Sequence, residues 1–133
     1  MLSGLQGGAE AAIHSMREIF NAESSDAVIL VDAANAFNNL NRMVALHNIQ
    51  YICPPIATIL INTYRQPSHL FLPGGREILS QEGITQGDPL AMQFYAFATC
   101  FLIQELQLRV KEVSQVWIAD DATGACKLED LKR

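Results

Sequence analysis

Three aspartates hold the positions from which this chain could do chemistry. Asp32 closes an unbroken, largely β-branched apolar run, Ala27 to Val31. Asp120 and Asp121 close a second apolar run, Val116 to Ala119. Each run has the pattern of a strand covered on both faces. A carboxylate just beyond a buried strand is costly to leave unpaired, and a metal ion would neutralise several at once. Hard oxygen ligands suit Mg²⁺, which takes one or two carboxylates together with substrate phosphates. Two such ions about 3.5–4 Å apart can stabilise both the attacking and the leaving oxygen of a phosphoryl transfer. Between the two runs lies Gln86-Gly87-Asp88-Pro89. Asp88 suits a helix N-cap there and Pro89 a first helical residue. Any one of these pieces is more often a cap, a turn or a helix start. Their order along the chain gives them weight: strand-Asp, then Gln-Gly-Asp-Pro-helix, then strand-Asp-Asp.

Several elements must position these residues. Ala9 to Phe20 reads as a helix with Ala9, Ala12, Ile13, Met16 and Phe20 on one stripe. Residues 38–48 read as a weaker helix. Pro54 and Pro55 open the next, with Ile56, Ile59, Leu60 and Tyr64 as its stripe. Residues 66–80 hold two extended runs around Pro73-Gly74-Gly75, the pattern of a hairpin. A long helix runs from Pro89 to about Val113, and its first half, apolar almost all round, must be central. Residues 128–133 begin another helix.

The chain has 133 residues, half of them apolar and 17% charged. Charged residues make up about a quarter of an average globular domain, so this chain is apolar-rich and not disordered. Nine basic and 14 acidic residues give a net charge of −5, which argues against a purely electrostatic nucleic-acid clamp. Three scattered cysteines, none in a C-x-x-C pair, support neither a zinc site nor a disulfide framework; a reducing, intracellular compartment fits, nucleus or cytoplasm undecided. No signal peptide is visible, and the longest apolar stretch, Phe94 to Ile103, is far short of the roughly 20 residues a membrane span needs. No membrane partner is expected.

With these residues in view, the chain resembles the palm of reverse transcriptases, especially those of retrotransposons and group II introns. Val31-Asp32-Ala33-Ala34-Asn35-Ala36-Phe37-Asn38 looks like the family's motif A. Gly83-Ile84-Thr85-Gln86-Gly87-Asp88-Pro89-Leu90 is similar to motif B, and Ile118-Ala119-Asp120-Asp121 to motif C. The segment from Gln6 to Met16 resembles the turn and helix that precede motif A. Ile118 stands where the family usually carries an aromatic residue. A nucleotide cyclase of the palm type would show a Gly-Gly-acidic hairpin at the second site, which Ala119-Asp120-Asp121 is not.

The resemblance implies an α/β, or α+β, fold: a small antiparallel sheet with packed helices, read as one partial palm domain over 1–133. It implies RNA-directed DNA polymerase activity, nucleotidyl transfer by two metal ions. Asp32 and Asp120 would bind Mg²⁺, with Mn²⁺ an alternative, helped by the Ala33 carbonyl and supported by Asp121. Phe37 would be the steric gate that leaves no space for a 2′-hydroxyl. Asn35 and Ala36 would line the incoming deoxynucleoside triphosphate through their backbone, and Gln86 and Gly87 would touch it from the motif B side. The partners would be an RNA or DNA template with its primer, together with the fingers and thumb regions, which this chain largely lacks. The family's basic residues lie mostly in those regions, which accounts for the acidic balance. The alternative is a non-enzymatic remnant of a mobile element.

The remaining candidates have plainer readings. His14, His47 and His69 have no metal-ligand spacing. Cys100 reads as a small core residue, and Cys53 and Cys126 have no catalytic partner pattern. Arg42, at the start of a helix after motif A, reads as half of a surface ion pair in preference to a nucleic-acid contact. Phe94, Tyr95, Phe97 and Phe101 read as core rather than as a base-stacking platform.

Overall fold

Both apolar runs that end in aspartate form strands, and they lie in the same sheet. The computed structural model describes residues 5–132. In chain order the elements are α1 (Gly8–Asn21), β1 (Ala27–Asp32), α2 (Ala36–Asn39), α3 (Arg42–Ile52), α4 (Pro54–Tyr64), β2 (Ser68–Phe71), β3 (Glu77–Ser80), α5 (Ala91–Arg109), β4 (Ser114–Ile118), β5 (Asp121–Cys126) and a 3₁₀ turn (Asp130–Lys132). This is a mixed α+β fold with small antiparallel sheets. It divides into two compact units, residues 5–34 with 102–132 and Asn35–Phe101; the boundary falls within α5.

The first unit is a three-stranded antiparallel sheet in the order β1-β5-β4. The central strand is β5, an Asp-Ala-Thr-Gly-Ala-Cys segment with few β-branched residues. Its neighbours hold it rather than its own propensity. Gly124 in β5 is a packing requirement, because a Cβ there would come within 2.9 Å of Val113 and 3.0 Å of Ile29. The open end of the ladder is fastened by polar contacts. Asp26 N–H donates to the Cys126 carbonyl at 3.1 Å, and Leu128 N–H donates to Asp26 Oδ1 at 2.7 Å.

One sheet face carries Val28, Leu30, Val116 and Thr123 toward α1, and a cavity of about 360 Å³ lies between them. The other face carries Ile29, Val31 and Trp117 and borders a cavity of about 320 Å³ with Leu106, Val110 and Leu131. The strand β1 is therefore not covered on both faces as its sequence suggests. Val28, Ile29, Leu30 and Val31 are all exposed, Leu30 to 77%. An apolar run reports fitness for burial, whereas burial itself depends on what packs there. Here the strand is an edge, and helix α1 stands off enough to leave a cavity. The same spacing explains α1: only Ala12 and Met16 of the expected stripe are buried, while Ile13 and Phe20 line the cavity.

The second unit is helical with one hairpin. Its core gathers Ala45, Leu46 and Ile49 of α3, Ala57, Leu60 and Tyr64 of α4, Ile84 of the following loop, and Ala91, Phe94 and Tyr95 of α5. Pro54 opens α4 as expected, though Ile59 of the expected stripe faces outward and Ala57 takes its place. The expected hairpin is β2–β3, with Ser68 opposite Ser80 and Phe71 opposite Glu77. The weak helix foreseen over 38–48 is two pieces, α2 and α3. The break is at Leu40-Asn41, where the Asn41 side chain accepts from Val44 N–H at 3.0 Å and caps α3. Only the first turns of α5 are central, since Phe101 and Leu102 are exposed. Residues 130–132 form a 3₁₀ turn rather than the start of an α-helix.

Candidate functional site

The carboxylates belong to the first unit. Asp32 is the last residue of β1 and Asp121 the first of β5, and the register sets them directly opposite each other. Residues directly opposite in an antiparallel ladder project from the same face, with Cβ atoms about 4.5–5.5 Å apart. Ile118 of β4 is the next neighbour in the same row. Asp120 lies in the two-residue turn between β4 and β5, after Ala119, whose φ of 52° is in the left-handed region. This turn reverses the chain tightly enough to return Asp121 beside Asp32. Asp32 and Asp121 are exposed and Asp120 is half-buried. Water therefore reaches the facing pair, and desolvation is not what makes it costly; the cost comes from two like charges directly opposed.

A divalent cation with hard oxygen preference fits such a pair, because it replaces mutual repulsion with shared attraction. Among the described residues no group of three or more His, Cys, Asp or Glu side chains is gathered as a cage. The register thus brings together Asp32 and Asp121 and keeps Asp120 in the turn beside them. Ala33, half-buried, follows at the end of β1.

The other residues singled out in the sequence belong to the second unit. Asn35 has φ 53°, a left-handed conformation that asparagine tolerates, and it leads into the single turn α2. Asn39 N–H returns to the Asn35 carbonyl at 2.9 Å. Ala36 and Phe37 are half-buried against the core of this unit. The Phe37 ring stacks on Tyr95, centroids 4.8 Å apart and planes inclined by 26°. Its carbonyl accepts from Ile84 N–H at 2.8 Å, and the Leu40 carbonyl accepts from Gly83 N–H at 2.9 Å. Those two bonds tie the Phe37 turn to the segment that leads into Gln86 and Gly87. The approach requires glycine: at Gly83, φ is +70°, and a Cβ would lie 2.3 Å from the Asn38 carbonyl oxygen.

Gln86 and Gly87 are both exposed. The turn they occupy is closed by Asp88 N–H donating to the Thr85 carbonyl at 3.2 Å, with φ at Gly87 of +93°. Helix α5 begins at Ala91 rather than at Pro89, so Asp88 shapes the turn that leads into the helix: Oδ1 accepts from Leu90 N–H at 2.8 Å. Its other oxygen, Oδ2, accepts a hydrogen bond of 2.5 Å from the Tyr64 hydroxyl.

Arg42 is not half of a surface ion pair. It is 4% exposed, and its guanidinium donates to the carbonyls of Ser80, Glu82 and Gly83 at 2.8, 2.7 and 2.9 Å, and to Ser80 Oγ at 3.0 Å. Its charge is solvated by backbone dipoles. Sequence reasoning missed Arg42 and Tyr64 as a connected pair because nothing in their spacing announces the return of residues 80–88 onto α3 and α4. His69 pairs with Glu77 across the hairpin, both exposed, and His14 and His47 are exposed. Cys126 is buried, and burial, then the nearby carboxylates of Asp130, Asp26 and Glu112, push its thiol pKa up; it stays protonated at neutral pH. Phe94 and Tyr95 are core, as expected, whereas Phe101 is surface.

No protein-family model matches the chain, and no curated protein is significantly similar to it. Among the described residues no helix is long and apolar enough to cross a membrane.

Proposed function

We propose that the chain is a polymerase palm of the reverse-transcriptase kind and carries the carboxylates and nucleotide contacts for template-directed DNA synthesis. The observation that supports this most is the pairing of Asp32 with Asp121 at the end of an antiparallel ladder, beside the Ala119-Asp120 turn. Asp32 and Asp120 would hold Mg²⁺ or Mn²⁺, supported by Asp121, which the ladder sets opposite Asp32, and by the Ala33 carbonyl. When bound, the metal supplies charge neutralisation on the triphosphate and acidifies the primer 3′-hydroxyl.

The remaining tasks belong to this chain's own residues. Phe37, stacked on Tyr95, would present its ring to the sugar and exclude a 2′-hydroxyl. Asn35 and Ala36 would line the nucleotide through backbone groups, and Gln86 and Gly87 would contact it from an exposed turn. Template, primer, fingers and thumb would come from outside these residues. A second reading, a non-enzymatic chain, is favoured by one observation: the apolar side chains of β1 are exposed on both faces.

Calorimetric titration of Mn²⁺ in the presence of dATP separates the two. The proposal expects saturable binding that Asp32→Asn and Asp120→Asn each abolish. Binding that both variants retain, or none in the folded parent chain, would leave the non-enzymatic reading.

A further inference from the structure

We infer that Arg42 and Tyr64 are positioning residues that fix Gln86 and Gly87 for contact with a deoxynucleoside triphosphate; this rests on reading those two as nucleotide contacts. The segment from Ser80 to Asp88 leaves β3 and runs to the start of α5 without regular structure. Such a loop would ordinarily be soft. Here it is held at both ends by buried side chains from two different helices.

At its start, Arg42 of α3 uses four guanidinium hydrogen bonds to take Ser80, Glu82 and Gly83 together, and its own N–H donates to Glu82 Oε2 at 3.3 Å. A guanidinium has five N–H donors in a rigid fork, so a lysine could not make this set. At its end, Tyr64 of α4, 5% exposed, donates to Asp88 Oδ2. The turn into α5 uses only Oδ1, and the second bond ties the loop to α4. The anchors touch each other, with Arg42 Cζ lying 5.4 Å from the Tyr64 ring centroid. Thr85 also hydrogen-bonds to Tyr64, and what remains between the anchors is the exposed pair Gln86-Gly87.

This arrangement serves binding. A turn fixed before the ligand arrives loses little conformational entropy when it makes contact. Loss of an anchor would leave the contacting groups present but loose, and nucleotide affinity would fall while the carboxylate pair, in the other unit, kept its metal.

The test measures Mg²⁺·dATP affinity of the full chain by calorimetry for the parent, Gln86→Ala, Tyr64→Phe, Arg42→Lys and the Tyr64→Phe/Gln86→Ala double variant. Mn²⁺ affinity without nucleotide and circular dichroism are followed in parallel. Gln86→Ala is expected to weaken dATP roughly tenfold, about the worth of one hydrogen bond. Tyr64→Phe should weaken it about three- to tenfold with Mn²⁺ affinity unchanged. The double variant should be hardly weaker than Gln86→Ala, because the anchor acts through the turn. If Gln86→Ala weakens binding and Tyr64→Phe does not, or if the two effects simply add, the positioning role is wrong and the nucleotide site stands. If the parent does not bind dATP, or Gln86→Ala binds like the parent, the reading of the site fails and this inference with it. Should Arg42→Lys not fold, Tyr64→Phe, which removes a single oxygen, decides alone.

Discussion

Asp32 faces Asp121 across the final rung of the β1–β5 ladder, two like charges at a position where a sheet would ordinarily place complementary ones. The fold supports them with five rungs of unstrained pairing behind, from Ala27↔Cys126 to Val31↔Ala122. The arrangement costs stability, and under the proposed metal-binding role a bound cation would offset that cost. Asp121→Asn should therefore stabilise the metal-free chain by about 0.2–1 kcal/mol, seen as a higher urea midpoint. In Mn²⁺ at a hundredfold excess over its dissociation constant the parent should gain about 2.7 kcal/mol and the variant nothing. An order of stability that does not invert on adding Mn²⁺ counts against a metal at this pair.

Tyr64 gives the second unit an alkaline limit. Burial raises its pKa and the bond to the Asp88 carboxylate raises it further, which together outweigh the lowering by hydrogen bonds to Thr85. The folded state thus holds this proton more tightly than the unfolded chain. The stabilisation is complete below the ordinary tyrosine value near 10 and is lost as pH climbs through the folded value. Tyr64→Phe should cost about 1.5–3 kcal/mol at pH 7, as expected for a hydrogen bond to a charged group, and should flatten the alkaline limb of the stability profile. Denaturant melts at neutral pH and above pH 10 measure both effects; an unchanged alkaline limb would assign it to another group.

The segments that sequence patterns located well are those whose information is local. The run Ala27 to Val31, the proline start of α4 and the hairpin around Pro73-Gly74-Gly75 each carry their own signal, and each forms where expected. The strand β5 carries none: it is alanine, glycine and small polar residues, and only two flanking strands make it central. Tertiary relationships were the least legible. Arg42 looks like a surface charge until residues 80–83 are seen to wrap it. The pairing of Asp32 with Asp121 depends on a two-residue turn whose first residue, Ala119, has a positive φ that alanine does not advertise. Of the candidate site, the residue types and the meeting of Asp32 with the Asp120-Asp121 segment were legible, whereas the register and the partners of Arg42 and Tyr64 were not.

Gly83 tests how closely the Phe37 turn and the 80–88 segment are joined. A methyl group there would overlap the Asn38 backbone, whose carbonyl oxygen lies 2.3 Å from the Cβ position, at a φ that L-residues rarely adopt. Gly83→Ala should destabilise by about 2–4 kcal/mol, combining backbone strain with overpacking. It should also remove the Gly83–Leu40 and Ile84–Phe37 hydrogen bonds together, visible as faster amide exchange at both Gly83 and Ile84. Gly87→Ala makes a useful contrast, since a Cβ there meets nothing within 4 Å and only the φ of +93° opposes it. A Gly83→Ala chain as stable as Gly87→Ala would mean the two segments are not in contact.

The exposed β1 strand separates apolar content that holds the fold from apolar content that does not. Leu60 is 1% exposed in the core of the second unit, and Leu60→Ala should cost about 2–5 kcal/mol through lost transfer energy and the cavity left behind. Leu30 has the same side chain at 77% exposure. Leu30→Lys should lie within about 0.5 kcal/mol of the parent, because an exposed site gives up little burial and a lysine stem lies readily along the strand. The substitution should also blunt the edge of β1 against strand-to-strand association, as charged side chains do on natural sheet edges. Chemical denaturation gives the stabilities, and light scattering at rising concentration gives the association. A large loss of stability from Leu30→Lys would show that something covers this strand in solution and that its apolar run, like that of Leu60, is core.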